Sequence, residues 1–248
     1  MKENALDRAP DGDGDVARLV AAILKQIDLG ALALPEEYFY ASLPLCVIDA
    51  VFSIGVTYAS TQNTVARWCE AQGLPRLRGP GVAELTIGDF LRVLHTSSPE
   101  DLAMKVFGNR QRTSARSGIL KAEAVTRFAE VLRRHGVERF GDTEDAGRNA
   151  LIERDIRVIP GQGSGISFEY FLMLAGSDSY VKADRMICRF IGSVLGSGAV
   201  VTPAQARPLL IATAKALRGH RADITPRLLD YGVWQFQQKQ PAVGDHVL

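Results

Sequence analysis

The sequence predicts an all-α protein. Apolar residues recur at three- and four-residue spacing in segment after segment, and no run alternates well enough to pair as a strand. Start signals such as Ser98-Pro99, Thr202-Pro203 and Thr225-Pro226, with stops at Gly73, Gly176 and Gly196, punctuate the chain at helix-length intervals.

In order, a polar tail holding Asp11, Asp13 and Asp15 leads to a helix over 16–27. Val16, Leu19, Val20, Ile23 and Leu24 share one of its faces, and Arg18 and Lys25 lie opposite. Ser42 caps a helix over 43–54, with Pro44 in the first turn, where a missing N–H costs nothing. A helix over 61–71 ends at Gly73. Short helices over 86–94 and 99–107 follow, the second placing Glu100 and Asp101 on its positive end. Helices over 119–135 and 145–154 lead into a glycine-rich turn, and 166–175 and 185–195 come after it. Two C-terminal helices begin at Pro203 and Pro226, the first expected to bend at Pro208. The expected organisation is a disordered tail over 1–14, one helical domain over 15–240 and a second tail over 241–248.

With 248 residues, 46% of them hydrophobic and 23% charged, the chain suffices for one large domain or two small lobes sharing a core. Cys46, Cys69 and Cys188 lack ligand spacing, and no signal sequence is evident; both point to a reduced, cytoplasmic setting. The most apolar stretch, 41–56, contains Asp49 and falls short of the roughly 20 residues of a membrane helix. His95, His135, His220 and His246 show no metal-ligand spacing, and His135 before Gly136 suits a helix C-terminus. The net charge of +1 hides an uneven distribution, since 105–139 carries nine Lys or Arg against Glu123, Glu130 and Glu138. Within it, Arg110, Arg112 and Arg116 stand among Ser, Thr and Gly, which reads as a mobile basic loop able to attract a phosphate backbone.

The most informative stretch is Ile159-Pro160-Gly161-Gln162-Gly163-Ser164-Gly165, an apolar helix to Ala175, a short turn and Asp184. Gly161 and Gly163 can take positive φ, and the amides of Gly161, Gly163, Ser164 and Gly165 at the start of a helix suit a phosphate. A plain helix–helix connection would use the same residues. Asp184, just past the helix that the hairpin starts, adds weight to a ligand.

That hairpin, followed by Val181-Lys182-Ala183-Asp184 and by Arg189, resembles the helix-hairpin-helix DNA glycosylase superfamily. Residues 45–68 look like its opening helix pair, and the helix from Lys121-Ala122 looks like the one ahead of the hairpin; the likeness spans roughly 40–200. The resemblance implies two helical lobes, one from the middle of the chain and one from both ends, with a substrate cleft between them. It further implies a monomer acting on duplex DNA, nucleoid-associated if bacterial. No cofactor is implied beyond a monovalent cation at the hairpin. There are departures. Gly165 stands where bifunctional members carry a catalytic lysine, so Schiff-base chemistry is not expected. Gln162 replaces an aliphatic residue, Gly55 stands where several members have a gap-filling glutamine, and the iron–sulfur cysteines are absent.

Breaking an N-glycosidic bond develops positive charge on the sugar, and one carboxylate near C1′ stabilises it and orients water. Asp184 is the candidate. An aspartate before Arg185-Met186-Ile187 is also a helix N-cap, and the two roles are compatible. Lys182 is a secondary candidate nucleophile. Tyr58, Phe168 and Tyr170 are candidates for a base pocket or wedge, while aromatic residues at helical spacing also build cores. Arg189 joins the phosphate-binding set, Glu169 stands out in an apolar helix, and Asp178 reads as a turn residue. The expected function is a monofunctional DNA glycosylase; the alternatives are a non-catalytic hairpin DNA-binding module and a helical protein unrelated to DNA.

Overall fold

A computed structural model describes residues 12–115, 117–196 and 201–240. The all-α expectation holds: eleven α-helices and no strand occur among the described residues, with isolated bridges at Tyr40–Leu77 and Arg112–Leu120. The chain divides into two compact units, one of residues 35–177 and one of 1–34 with 178–248.

The middle unit holds α2 (Leu43–Phe52), α3 (Tyr58–Gln72), α4 (Ile87–Leu94), α5 (Pro99–Asp101), α6 (Lys121–Arg134), α7 (Ala146–Ile156) and α8 (Ile166–Ala175). Helices α2 and α8 are buried along almost their whole length. A helix buried on every side has no solvent face to spare, and α3, α4, α6 and α8 all pack against α2. Aromatic rings fill the interior: Trp68 meets Phe90 edge-on at 4.9 Å and stacks on Phe107 at 5.7 Å, while Phe128, Phe168 and Phe171 form a second group. Each such ring removes 150–250 Å² or so from water, which makes them the main anchors of the unit.

The other unit holds α1 (Gly12–Gln26), α9 (Arg185–Leu195), α10 (Pro203–Leu217) and α11 (Pro226–Gln238). Leu19, Ile23, Ile187, Phe190, Ile191, Leu210, Leu217, Leu229 and Val233 make its core. Gly232 is required there, because a Cβ would lie 2.8 Å from a Leu32 methyl. Arg221 ties the ends of the sequence together by donating to the carbonyls of Leu29 and Leu32.

Helices α8 and α9 have the expected bounds. Others shift at their ends. Helix α1 begins at Gly12, so residues 12–14 of the expected tail are helical, with Asp13 and Asp15 on the positive end; residues 1–11 and 241–248 lie outside the described residues. Helix α2 stops at Phe52 and α3 starts at Tyr58, so the turn between them spans 53–57 with Gly55 at φ 70°. Helix α5 runs into a π-helical turn, Leu102–Val106, and Pro208 lies inside α10. No helix among the described residues is long and apolar enough to cross a membrane.

Candidate nucleic-acid interface

The hairpin is built by α7 running out at Ile156 and α8 starting at Ile166. Three short backbone bonds fold it, from Ile159 N to Ile156 O, Gln162 N to Ile159 O and Gly165 N to Gln162 O, each 2.9–3.0 Å. Gly161 (φ 85°) and Gly165 (φ 78°) take the left-handed backbone; Gly163, expected to do so, does not. Gly165 has a second departure from expectation. Its amide is engaged by Gln162, which removes it from the phosphate donors. The amides of Gly161, Gly163 and Ser164 donate no bond within the hairpin and remain for a ligand. A Cβ on Gly163 would meet nothing closer than 3.8 Å, whereas one on Gly161 would sit 2.4 Å from Thr113 Cβ. Gln162 is 2% exposed and its Oε1 has no hydrogen-bond partner among the described residues, a polar amide in a buried position.

Arg157, which sequence reasoning missed, braces this turn. Its Nε donates to Gly163 O at 3.0 Å and its guanidinium pairs with Glu153 at 3.1 Å. The hairpin is where the resemblance sets a monovalent cation. The carbonyls of Ile159, Gln162 and Gly163 already accept hydrogen bonds, the last from a guanidinium that supplies the positive charge itself. No group of three metal-ligating His, Cys, Asp or Glu side chains occurs among the described residues.

Thr113 brings the basic loop against the hairpin. The expectation of a mobile loop is corrected: its described part is laced at several points. Arg67 donates to Gly108 O, Asn109 Nδ2 to Thr64 Oγ1 at 3.0 Å, Thr113 N to Ile119 O at 2.9 Å, and Arg112 Nε to Gly118 O at 2.9 Å. Arg110 and Arg112 are exposed and form no ion pair among the described residues. Arg116 lies outside the described residues. Other basic residues of 105–139 differ: Lys105, Arg127, Arg133 and Arg134 pair with Asp101, Glu123, Glu138 and Asp155. Two exposed arginines of that stretch without an ion pair among the described residues therefore lie in the loop, and a third, Arg139, donates to Glu84 O.

A tyrosine cluster lies deeper in the same unit. Tyr40 Oη donates to Asp49 Oδ2 at 2.7 Å and accepts from Gln62, while Tyr58 Oη donates to Glu37 at 2.9 Å. Burial first, then the neighbouring acids and hydroxyls, pushes the phenols of Tyr40, Tyr58 and Tyr170 well above their ordinary range, so all three remain neutral donors. Tyr170 is 4% exposed and Tyr58 is half-buried beside Tyr38. Phe168 is a core residue, packed on Phe128 and Phe171, and the pocket role expected of it is withdrawn. Glu169, which stands out as an acid in an apolar helix, is 3% exposed. Asp49 entered the sequence reading only as a charge inside the most apolar run that argues against a membrane span; a buried acid in such a run also signals a hydrogen-bond partner such as Tyr40.

In the other unit, Asp184 is the N-cap of α9. Its Oδ1 accepts from Met186 N at 2.8 Å and Ile187 N at 3.3 Å, so one oxygen does the capping. The Oδ2 atom accepts no hydrogen bond among the described residues and the carboxylate is half-buried. The segment ahead of it is clamped to α11: Asp230, 7% exposed, accepts from Lys182 N at 2.9 Å. Asp178, expected as a turn residue, lies 3.9 Å from the buried Arg227 and near the Thr225 hydroxyl at the start of α11. Asp230 and Arg227 sit in an ordinary amphipathic helix pattern and gave no local signal. Arg189 rests on Met186 Sδ at 3.4 Å and has no carboxylate partner among the described residues.

Residues 17–238 match a family model described as a domain of unknown function, DUF8548, and the chain belongs to that family. No curated protein and no solved structure matches the chain. The matched span includes the hairpin, the basic loop and Asp184.

Proposed function

We propose that this member of the DUF8548 family is a monofunctional DNA glycosylase that hydrolyses the N-glycosidic bond of a damaged or modified base in duplex DNA. The observation that carries this reading is the divided carboxylate of Asp184. Capping α9 with Oδ1 fixes the side chain at the start of the helix. Oδ2 is left to face the oxocarbenium-like sugar and to orient or deprotonate the attacking water. Support for the DNA partner comes from the hairpin amides of Gly161, Gly163 and Ser164, which donate no bond within the hairpin, and from the loop that Thr113 brings against Gly161, whose exposed Arg110 and Arg112 form no ion pair among the described residues. Division of the chain into a middle unit and a unit from both ends is in keeping with a two-lobed glycosylase fold. Extrusion is cheapest at damaged or mismatched bases, which supplies part of the selectivity. Tyr58, half-buried beside Tyr38, remains a candidate base contact through its ring face.

The test is Asp184→Asn, which keeps the cap and the size while removing the charge. Excision from duplexes each carrying one modified base falls on the order of 10²-fold or more, while folding and DNA affinity persist. Normal excision by this variant rules out the mechanism. Since Gly165 replaces the lysine, the abasic product is left intact and borohydride does not trap the protein on DNA; trapping that disappears in Lys182→Ala transfers the nucleophile to Lys182. A second reading, a hairpin DNA-binding module without chemistry, is favoured by the buried polar Gln162 and predicts salt-dependent affinity with no abasic product from any duplex.

A further inference from the structure

Lys121 is the first residue of α6 and is 2% exposed. Both facts run against its chemistry. A cation at a helix N-terminus opposes the dipole, and an ammonium removed from water needs every donor satisfied. The side chain resolves the conflict by leaving its own helix. Its Nζ reaches the C-terminal end of α2, where the dipole is negative, and donates to Phe52 O at 2.9 Å and Ile54 O at 2.7 Å; its third bond goes to Gln111 Oε1 at 3.2 Å. An apolar side chain would fill the same space without the desolvation cost, so packing does not account for a lysine here. Local preference overridden in this way is a mark of a functional constraint.

The acceptors identify the constraint. Phe52 and Ile54 belong to the turn 53–57 and its approach, and Gln111 lies between Arg110 and Arg112. The Lys121 amide also donates to Gln111 O at 2.8 Å, so one residue holds the loop by main chain and side chain while holding the turn by side chain alone. Thr113, two residues on, packs at Gly161 of the hairpin. Lys121 is thus the bridge between the turn that ends in Tyr58 and the loop that presents the free arginines.

We propose that Lys121 is a positioning residue that fixes the register between the turn 53–57 and the basic loop, so that the phosphates gripped by Arg110 and Arg112 and the base step facing the turn belong to the same few base pairs. This rests on the DNA reading above for its consequence, but the clasp is testable in the free protein. Amide exchange is measured in the full chain for the wild type, Lys121→Met, Lys121→Arg and Gln111→Ala. In Lys121→Met the amides of Thr113 and Ser60, bonded to Ile119 O and Thr57 O, exchange about tenfold faster or more, while Val125 to Leu132 of α6 are unchanged. Lys121→Arg, which keeps a cation with several donors, restores part of the protection. Gln111→Ala, which cannot unfold the core, releases Thr113 but not Ser60. Unchanged exchange at both sites in Lys121→Met and Gln111→Ala overturns the clasp.

The second measurement reads register rather than grip. On a duplex carrying 2-aminopurine, Gln111→Ala and Lys121→Met keep the salt slope of binding and lose base extrusion, seen as at least a tenfold smaller fluorescence rise at saturating protein. Affinity and extrusion lost together, with exchange also faster throughout α6, mean that Lys121 serves the fold alone and overturn the proposal. A wild type that neither binds duplex nor raises fluorescence refutes the DNA reading and this consequence of it, while the exchange data still decide whether the clasp exists.

Discussion

Two arginine-rich regions of the middle unit have opposite electrostatics. Along α6 and α7, Arg127, Arg133, Arg134, Arg154 and Arg157 each find a carboxylate within the same pair of helices or just beyond them. In the loop between Gly108 and Gly118, Arg110 and Arg112 find none among the described residues. Sequence charge counts treat the two alike. An exposed ion pair adds little stability, about 0–1 kcal/mol, but it cancels the field that a distant phosphate would feel. The loop keeps its field. Positive charge available to a polyanion is therefore set by which arginines lack partners, not by where arginines are most frequent.

The sharpest way to break this comparison is to remove arginines from each region in turn. Arg110→Ala with Arg112→Ala lowers duplex affinity on the order of 10²-fold and makes the salt dependence shallower by about 2 in log–log slope, one contact for each side chain. Arg127→Ala with Arg134→Ala, equal in charge removed, changes affinity by roughly twofold or less, since those side chains are already paired. Equal losses from the two double variants, measured by titration at several salt concentrations, end the distinction between them.

A smaller effect separates two glycines of the hairpin. Gly161→Ala forces a side chain into the left-handed region and against Thr113, and costs about 1–3 kcal/mol of stability by denaturant titration. Gly163→Ala meets no such obstacle and stays within about 0.5 kcal/mol of the wild type. On DNA the order reverses: Gly163→Asp folds yet loses on the order of tenfold in affinity, because it sets a carboxylate where the backbone meets phosphate. Full affinity in Gly163→Asp removes the hairpin from the interface and leaves the loop alone.

Much of the fold was legible because helix signals are local. The start signals at Ser98, Thr202 and Thr225 and the stops at Gly73 and Gly196 need only a few neighbours, and the structure uses them, whereas Ser42 precedes α2 without a side-chain capping bond. The hairpin and the Asp184 cap were legible for the same reason. What failed was everything set by a partner distant in sequence. Phe168 and Tyr170 follow each other in one apolar helix, and only the packing of α8 assigns the first to the Phe128 group and the second to the neighbourhood of Asp49. That Arg134 is paired depends on Asp155, on another helix. Gly165 satisfied the glycine pattern, and its amide was engaged by a bond that no pattern encodes.

The smallest effect expected is one of pH, and it falls on the paired region only. Asp155 accepts from His135 Nε2 at 2.9 Å and is flanked by Arg154 and Arg134. The hydrogen bond from His135, and next the one from Arg154, hold its carboxyl below the ordinary carboxylate range. A carboxyl with a depressed folded pKa contributes stability that is present above its unfolded value, near 4, and is lost as pH falls through the folded value. The contribution is therefore complete at neutral pH and disappears in acid. Asp155→Asn, neutral at every pH, has a lower urea midpoint than the wild type at pH 7, and the two curves converge towards pH 3. The guanidinia of Arg110 and Arg112 keep their charge across that range, so the same variant binds duplex as the wild type does at pH 7. A midpoint difference that persists undiminished at pH 3 assigns Asp155 a packing role, and a loss of DNA affinity in Asp155→Asn means that α6 and α7 feed the loop after all.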